Sequence, residues 1–226
     1  MHRPTIICHM MASIDGRIDC AMTEQLPGVD TYFQTMEQLG LTTTLTGRVT
    51  AQTEMALPGV FESDQTTPIA HEAIYQAKAS NAYEVVMDTK GSLLWSNQKD
   101  EEKPLLVITS TSVSNQYLDY LRFQWISYIV CGEDHIDLSR ACDILADTFN
   151  IKRLGIVGGP TINGAFLKAG LIDEVSLVIG PGIDGRKGFF GVFDGLDHDA
   201  PLTHLTLKQA KQENDGSVWL WYSVNH

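Results

Sequence analysis

Ten residues, Arg153-Leu154-Gly155-Ile156-Val157-Gly158-Gly159-Pro160-Thr161-Ile162, constrain the fold more than any other stretch, because they lead an apolar strand through two glycines directly into a helix. Glycine has no Cβ to hold a ligand off the backbone, and the first N–H groups of a helix have no intrahelical acceptor. Such a junction can collect an anion such as a phosphate. Pro160 suits the first helical turn, Ile162, Ala165, Phe166 and Ala169 recur at i, i+3, i+4 and i+7, and Gly170 is placed to end the helix. Val175 to Ile179 reads as the next strand, which makes a βαβ unit whose crossover starts at the glycine pair. A plain packing turn needs the same glycines, so the pair alone leaves both readings open.

The rest of the chain repeats this alternation. Strands are expected at Thr5 to His9, Leu41 to Thr46, Tyr83 to Asp88, Leu105 to Thr109 and Ile126 to Val130. Helices are expected from a cap at Asp30 through Phe33, Met36 and Leu39 to Gly40, over Pro68 to Ala79, over Ser114 to Arg122, and over Asp137 to Phe149 with Ala141, Ile144, Leu145 and Thr148 on one face. Leu205 to Ala210 and Val218 to Val224, joined through Asn214-Asp215-Gly216, read as a closing hairpin. The fold class is therefore α/β, a mostly parallel central sheet with helices on both faces and a C-terminal antiparallel hairpin. With 226 residues and no linker or repeat, one domain over 1–226 is expected.

Charge and composition exclude several function classes. Sixteen Lys and Arg against 28 Asp and Glu give a formal net charge of −12, which argues against a nucleic-acid or anionic-membrane surface, so any phosphate must be captured locally. The apolar stretch Thr5 to Ile14 is short and interrupted by His9, so neither a leader nor a membrane span is expected. Cys8, Cys20, Cys131 and Cys142 lack paired spacing, and the histidines form no HxxxH pair, so no metal is expected. Cys8, Cys131 and Cys142 in apolar surroundings suit buried free thiols and a reducing cytoplasm.

Three strand ends carry phosphate-ready groups. Thr46-Gly47-Arg48-Val49-Thr50 places a cation and a hydroxyl after one strand, Thr109 and Ser110 end another, and Gly158 and Gly159 end a third. Parallel sheets bind ligands at their carboxyl edge, and a ligand with several phosphates would account for all three. Asp15, in the turn Ser13-Ile14-Asp15-Gly16-Arg17, and Glu54, a helical turn beyond Thr50, are carboxylates near the same edge that could hold a polar substrate or relay a proton. Their plainer roles are turn-former and solvated helix residue. Gly180-Pro181-Gly182-Ile183-Asp184-Gly185 matches the dinucleotide pattern GxGxxG, yet Gly188, Gly191 and Gly195 follow it with no helical period, so a mobile surface loop is expected there. Arg186 and Lys187 at its tip read as a solvated basic pair or a contact for an anionic substrate.

The segments Ala12-Ser13-Ile14-Asp15-Gly16-Arg17, Gly47-Arg48-Val49-Thr50, Gly158-Gly159-Pro160-Thr161 and Asp173-Glu174-Val175, in that order, resemble the reductase domain of the bifunctional riboflavin-biosynthesis deaminase-reductase, from about Arg3 to Val224. The resemblance implies a dihydrofolate-reductase-like fold, NADPH as cofactor, and reduction of the ribosyl group of a phosphorylated ribosylaminopyrimidine to a ribityl group. It places Gly47, Arg48 and Thr50 on the cofactor's phosphates, Thr109 and Ser110 near the adenosine ribose and its 2′-phosphate, Gly158, Gly159, Pro160 and Thr161 around the pyrophosphate, and Ala12 against the nicotinamide. Ser13, Asp15 and Arg17 would face the substrate, with Glu54 and Val157, and a homodimer is implied. Asp15 and Glu54 are the candidate catalytic residues. The deaminase half has no counterpart. Val157 stands where the family usually has Glu, Arg17 where it has Lys, and Glu54 where it has Asp, while Met55 to Phe61 lacks the Arg expected to hold the substrate phosphate. These departures leave open a reductase of a different small carbonyl or pterin-like substrate, or a nucleotide-binding module without turnover.

Overall fold

Leu105–Thr109 is an uninterrupted run of five apolar or β-branched residues, all buried, as expected of a strand covered on both faces. In the computed structural model, which describes residues 3–64 and 67–226, such strands alternate with short helices. Residues 1, 2, 65 and 66 of the expected single domain lie outside the described ones. In chain order the elements are β1 (Thr5–Ala12), α1 (Cys20–Thr23), α2 (Val29–Gln38), β2 (Thr44–Gly47), α3 (Arg48–Glu54), β3 (Ala73–Tyr75), β4 (Glu84–Met87), β5 (Leu105–Thr109), α4 (Asn115–Phe123), β6 (Ser127–Val130), α5 (Leu138–Asp147), β7 (Arg153–Gly158), α6 (Pro160–Lys168), β8 (Glu174–Ile179), β9 (Leu205–Gln212) and β10 (Val218–Val224). Among the described residues no helix is long and apolar enough to cross a membrane.

The chain divides into two compact units. The first comprises Thr43–Lys152 with residues 3 and 4, and its strands run in the order β3-β6-β5-β4-β2. Strands β2, β4, β5 and β6 are parallel, and β3 is antiparallel to β6. Its core gathers Val86, Trp95, Val107, Tyr117, Leu121 and Tyr128. The second comprises Thr5–Thr42 and Arg153–His226, in the order β7-β1-β8-β10-β9. There β1 pairs in parallel with both β7 and β8, and the antiparallel hairpin β9–β10 is added beside β8. Ile7, Met11, Leu39, Leu41, Val178 and Trp219 form its core.

The expected strands, the βαβ unit and the hairpin are all present, and Ser114 and Asp137 cap α4 and α5 by accepting the N–H of Tyr117 and Arg140. Four local expectations are corrected. Pro68 to Ala79 is not a helix: Ala70 turns the backbone to φ 55, and Ala73–Tyr75 pairs with β6, where Tyr75 lies against Tyr128. Pairing with β6 overrides local helix preference. Asp30 does not cap α2: Gly28 holds that place and Asp30 sits in the first turn, where its negative charge is favoured by the positive end of the helix dipole. The inward face of α2 is Thr31, Thr35 and Leu39, and Phe33 is exposed. The polar inward face is tolerated because Thr31 donates to Asp215 at 2.7 Å and Thr35 to the Thr31 carbonyl at 2.8 Å. In α6 it is Asn163, Gly164 and Phe166 that are buried, with Ile162 and Ala165 at its margin.

Candidate active site

In the first unit, the carboxyl ends of β2, β4 and β5 lie side by side. Gly47 precedes α3 with no side chain capping the helix, so the amides of its first turn face outward without a side-chain acceptor. Arg48 is exposed, and among the described residues its guanidinium makes no hydrogen bond or ion pair. Thr50 is half-buried on the same turn, and Glu54 is exposed at the end of α3. Thr109 and Ser110 are fully buried, and both hydroxyls donate to the Thr89 carbonyl, each at 3.0 Å. Their protons are spent within the protein, unlike the free phosphate donors the sequence suggested.

The second unit gathers the ends of β7, β1 and β8. Val157 is half-buried near the end of β7, Gly158 and Gly159 are joined by a cis peptide, and Pro160 opens α6 with no side chain capping its first turn. Thr161 is exposed there. After β1 the chain turns tightly: Gly16 N–H donates to the Ser13 carbonyl, and Ser13 N–H to that of Arg17. Ala12 is buried, and its carbonyl accepts from Gly180 N–H at 2.8 Å. The sequence-predicted trio Ser13, Asp15 and Arg17 does come together. Buried Ser13 donates to Asp15 Oδ1 at 2.7 Å and accepts from Arg17 N–H, and Arg17 Nε lies 3.9 Å from Asp15 Oδ2.

Asp15 has further partners that the sequence did not reveal. The backbone N–H groups of Asp184 and Gly185 each donate to its carboxylate at 3.0 Å, and Arg186 in turn pairs with Asp19 and Asp184. The Ser13 hydroxyl first, then these two amides, hold the Asp15 carboxyl well below the usual carboxylate range. Asp15 is thus an ionised acceptor and not a reservoir of protons at neutral pH. The same bonds account for the GxGxxG stretch, which is irregular chain with no helix after it. Its basic tip is no free pair, since Arg186 is engaged. The sequence reading also missed the turn Asp88-Thr89-Lys90-Gly91 after β4, although Asp followed by Gly three residues on is a turn signature.

The fold alone defines a class. A pyrimidine reductase-like protein from Corynebacterium diphtheriae superposes with a TM-score of 0.72 at 20% identity, over 99% of this chain and 92% of that one. RibD from Acinetobacter baumannii gives 0.68 at 17%, over 100% and 59%. The fold is the dihydrofolate-reductase-like one, as expected. Within it the chain belongs to the RibD C-terminal domain family, whose profile matches residues 4–220. The 2,5-diamino-6-ribosylamino-4(3H)-pyrimidinone 5′-phosphate reductase of Methanothermobacter thermautotrophicus is 31% identical over 113 residues, 49% of this chain and 51% of that protein. The match therefore spans about half the length of that curated relative.

Proposed function

We propose that this chain is an NADPH-dependent reductase resembling the 5-amino-6-(5-phosphoribosylamino)uracil reductase of riboflavin biosynthesis, delivering hydride to the ribosyl group of a phosphorylated ribosylaminopyrimidine. The observation that carries the reading is the family match over residues 4–220, which includes every motif named above. It also supports treating the two units as one reductase domain.

The chemistry of the donor set fits a phosphorylated dinucleotide. Gly47, Arg48 and Thr50 offer amides, a hydroxyl and an unpaired guanidinium, and Gly158, Gly159, Pro160 and Thr161 offer an uncapped helix start, both suited to phosphates. NADPH when bound supplies the hydride. This chain's residues bind and orient. Thr109 and Ser110 shape the adenosine side through Thr89, Ala12 faces the nicotinamide, and Ser13 and Arg17 line the substrate side. Asp15 keeps the Ser13 to Arg17 turn in place as an ionised acceptor, and Glu54 keeps an exposed carboxyl for proton relay. A cytoplasmic homodimer belongs to the same reading, supported by buried free thiols at Cys8, Cys131 and Cys142 and by exposed Leu205 and Leu207 on β9.

Val157 and the arginine-free stretch Met55 to Phe61 favour, as a second reading, a reductase of a different small carbonyl or pterin-like substrate. Thermal unfolding with excess NADPH or NADH is the test. A ligand that binds only the folded state adds about 2.7 kcal/mol at a hundredfold excess over Kd. A shift with NADPH, followed by NADPH oxidation with the phosphoribosylaminopyrimidine, supports the first reading. A shift with oxidation only by other carbonyls or pterins supports the second, binding without turnover leaves a nucleotide-binding module, and no shift overturns the cofactor assignment.

A further inference from the structure

Asparagine carries donors and an acceptor on one short amide, so a buried one is satisfied only when both sides find partners. Asn163, the fourth residue of α6, is fully buried, and only one side of it is met. Its Nδ2 donates to the Val192 carbonyl at 2.7 Å, while among the described residues nothing donates to its Oδ1. One bond made and one buried acceptor left over adds little stability, because an unmet buried polar atom costs at least as much as an ordinary hydrogen bond returns. Alanine would also suit a helix interior better. Asn163 is therefore set apart by what it holds in place, not by what it adds to the stability of α6.

What it holds is the chain that returns from β8. After Ile179 that chain first meets the turn Ser13 to Arg17: the Gly182 carbonyl accepts from Ile14 N–H at 2.8 Å, and the amides of Asp184 and Gly185 bond Asp15. It meets the turn again at Gly191, where an added Cβ would lie 3.5 Å from the Gly16 carbonyl oxygen. The next residue, Val192, is the one bonded to Asn163. Asp194 N–H then donates to the Pro160 carbonyl at 3.1 Å, and an added Cβ on Gly164 would collide with the Asp194 carbonyl, so the returning chain lies directly on the first half of α6. Two consecutive residues, Gly191 and Val192, thus bridge the turn that carries Asp15 to the helix that starts after Gly159. All of these groups belong to the second unit. A bridge of one peptide step, about 3.8 Å between successive Cα atoms, absorbs little displacement, so a shift of Val192 is passed on to the turn.

We infer that Asn163 is a positioning residue: through Val192 and Gly191 it fixes the turn Ser13 to Arg17 against the start of α6. The inference rests on the reductase reading, in which that turn faces the substrate and that helix start faces the cofactor. Asn163→Ala tests it. The ligand-free melting temperature is expected to stay close to the wild-type value, since the lost bond is offset by removal of the unmet acceptor and by better helix propensity. NADPH affinity is expected to stay within about twofold, because the backbone at the start of α6 is untouched, whereas kcat is expected to fall about tenfold or more, as for reacting groups set slightly out of line. Hydrogen exchange at residues 13–17, 184 and 185 is expected to quicken at unchanged stability, which a role confined to packing would not produce. Lys168→Ala, which removes the exposed Lys168–Asp197 pair at the far end of the same helix, is the control and is expected to change none of these. A second measurement needs only the wild type, and decides the matter even if Asn163→Ala is too unstable to assay. The probe is 2′-phospho-ADP-ribose, the cofactor without its nicotinamide, and it is expected to slow exchange at residues 13–17 as well as in α6. Wild-type kcat in Asn163→Ala, or protection confined to α6 in the wild type, would overturn the role of Asn163 while sparing the reductase reading. Absence of NADPH binding to the wild type would overturn both.

Discussion

Two glycine-rich segments follow parallel strands in the second unit, and they behave in opposite ways. After β7, Gly158 and Gly159 open directly into α6, whose first turn has no capping side chain. After β8, Gly180 to Gly185 opens into irregular chain, and the amides of Asp184 and Gly185 are taken by Asp15. A glycine pattern becomes a phosphate site only when a helix starts at it and leaves amides unclaimed. The second segment meets neither condition, because its amides already have an anion, the carboxylate of Asp15. It also serves α6: the Val192 carbonyl accepts from Asn163 Nδ2 at 2.7 Å, and Asp194 N–H donates to the Pro160 carbonyl at 3.1 Å.

The strongest challenge to this contrast is acid, because a buried histidine on β1 is bonded to β8, the strand that leads into the second segment. His9 on β1 is bound at Nδ1 to Ser176 Oγ and at Nε2 to the Tyr32 carbonyl, each at 3.0 Å, and Ser176 also accepts from Trp219 Nε1 at 2.9 Å. The carbonyl only accepts, so Nε2 carries the proton and the neutral ring fits without a further one. Burial pushes its pKa down to about 4, opposed in part by the Tyr32 bond. The unfolded chain therefore binds a proton between its ordinary value near 6.5 and pH 4 that the folded chain refuses. Stability should be complete above about pH 6.5 and fall by on the order of 3 kcal/mol as pH drops toward 4, a loss that His9→Gln should largely remove. Urea unfolding across that range checks it, and an equal slope in both proteins would refute it.

A smaller effect is expected where α6 packs against the chain that follows the second segment. A Cβ on Gly164 would lie 1.7 Å from the Asp194 carbonyl oxygen, a backbone atom that cannot swing away. Gly164→Ala should cost about 2 kcal/mol by overpacking, and hydrogen exchange should show residues 192–194 opening before α6. The smallest effect tests the second segment alone. Gly185 has φ +63, and a Cβ there would meet nothing nearer than Ile183 Cγ2 at 4.0 Å, an ordinary contact, so Gly185→Ala meets mainly backbone strain, about 1 kcal/mol in chemical denaturation, and should leave cofactor affinity unchanged. A loss of affinity there would give the second segment the anion role denied to it here.

Particular residues show what was legible. The run Leu105 to Thr109 could be read as a buried strand because five successive apolar or β-branched residues admit little else, and β5 has those bounds. Pro160 and Gly170 bracketed α6 through local backbone chemistry. Pro68 to Ala79 read locally as a helix, and pairing with the edge of β6 made Ala73–Tyr75 a strand. The proximity of Ser13, Asp15 and Arg17 follows from a five-residue turn. That Asp15 is bound by amides 169 and 170 residues away has no local signature.

By itself, then, the sequence determined the alternation of strands and helices, the helix opening at Gly159, the closing hairpin and the resemblance to a reductase family, because each rests on contacts within a few residues or on motif order. Tertiary structure decided which groups remain available to a ligand. It consumed the hydroxyls of Thr109 and Ser110 on Thr89, occupied Asp15 with the loop after β8, and left Arg48 unpaired. Whether a donor or a charge is free depends on what distant chain has already bonded to it, and that is fixed only when the strands are laid side by side.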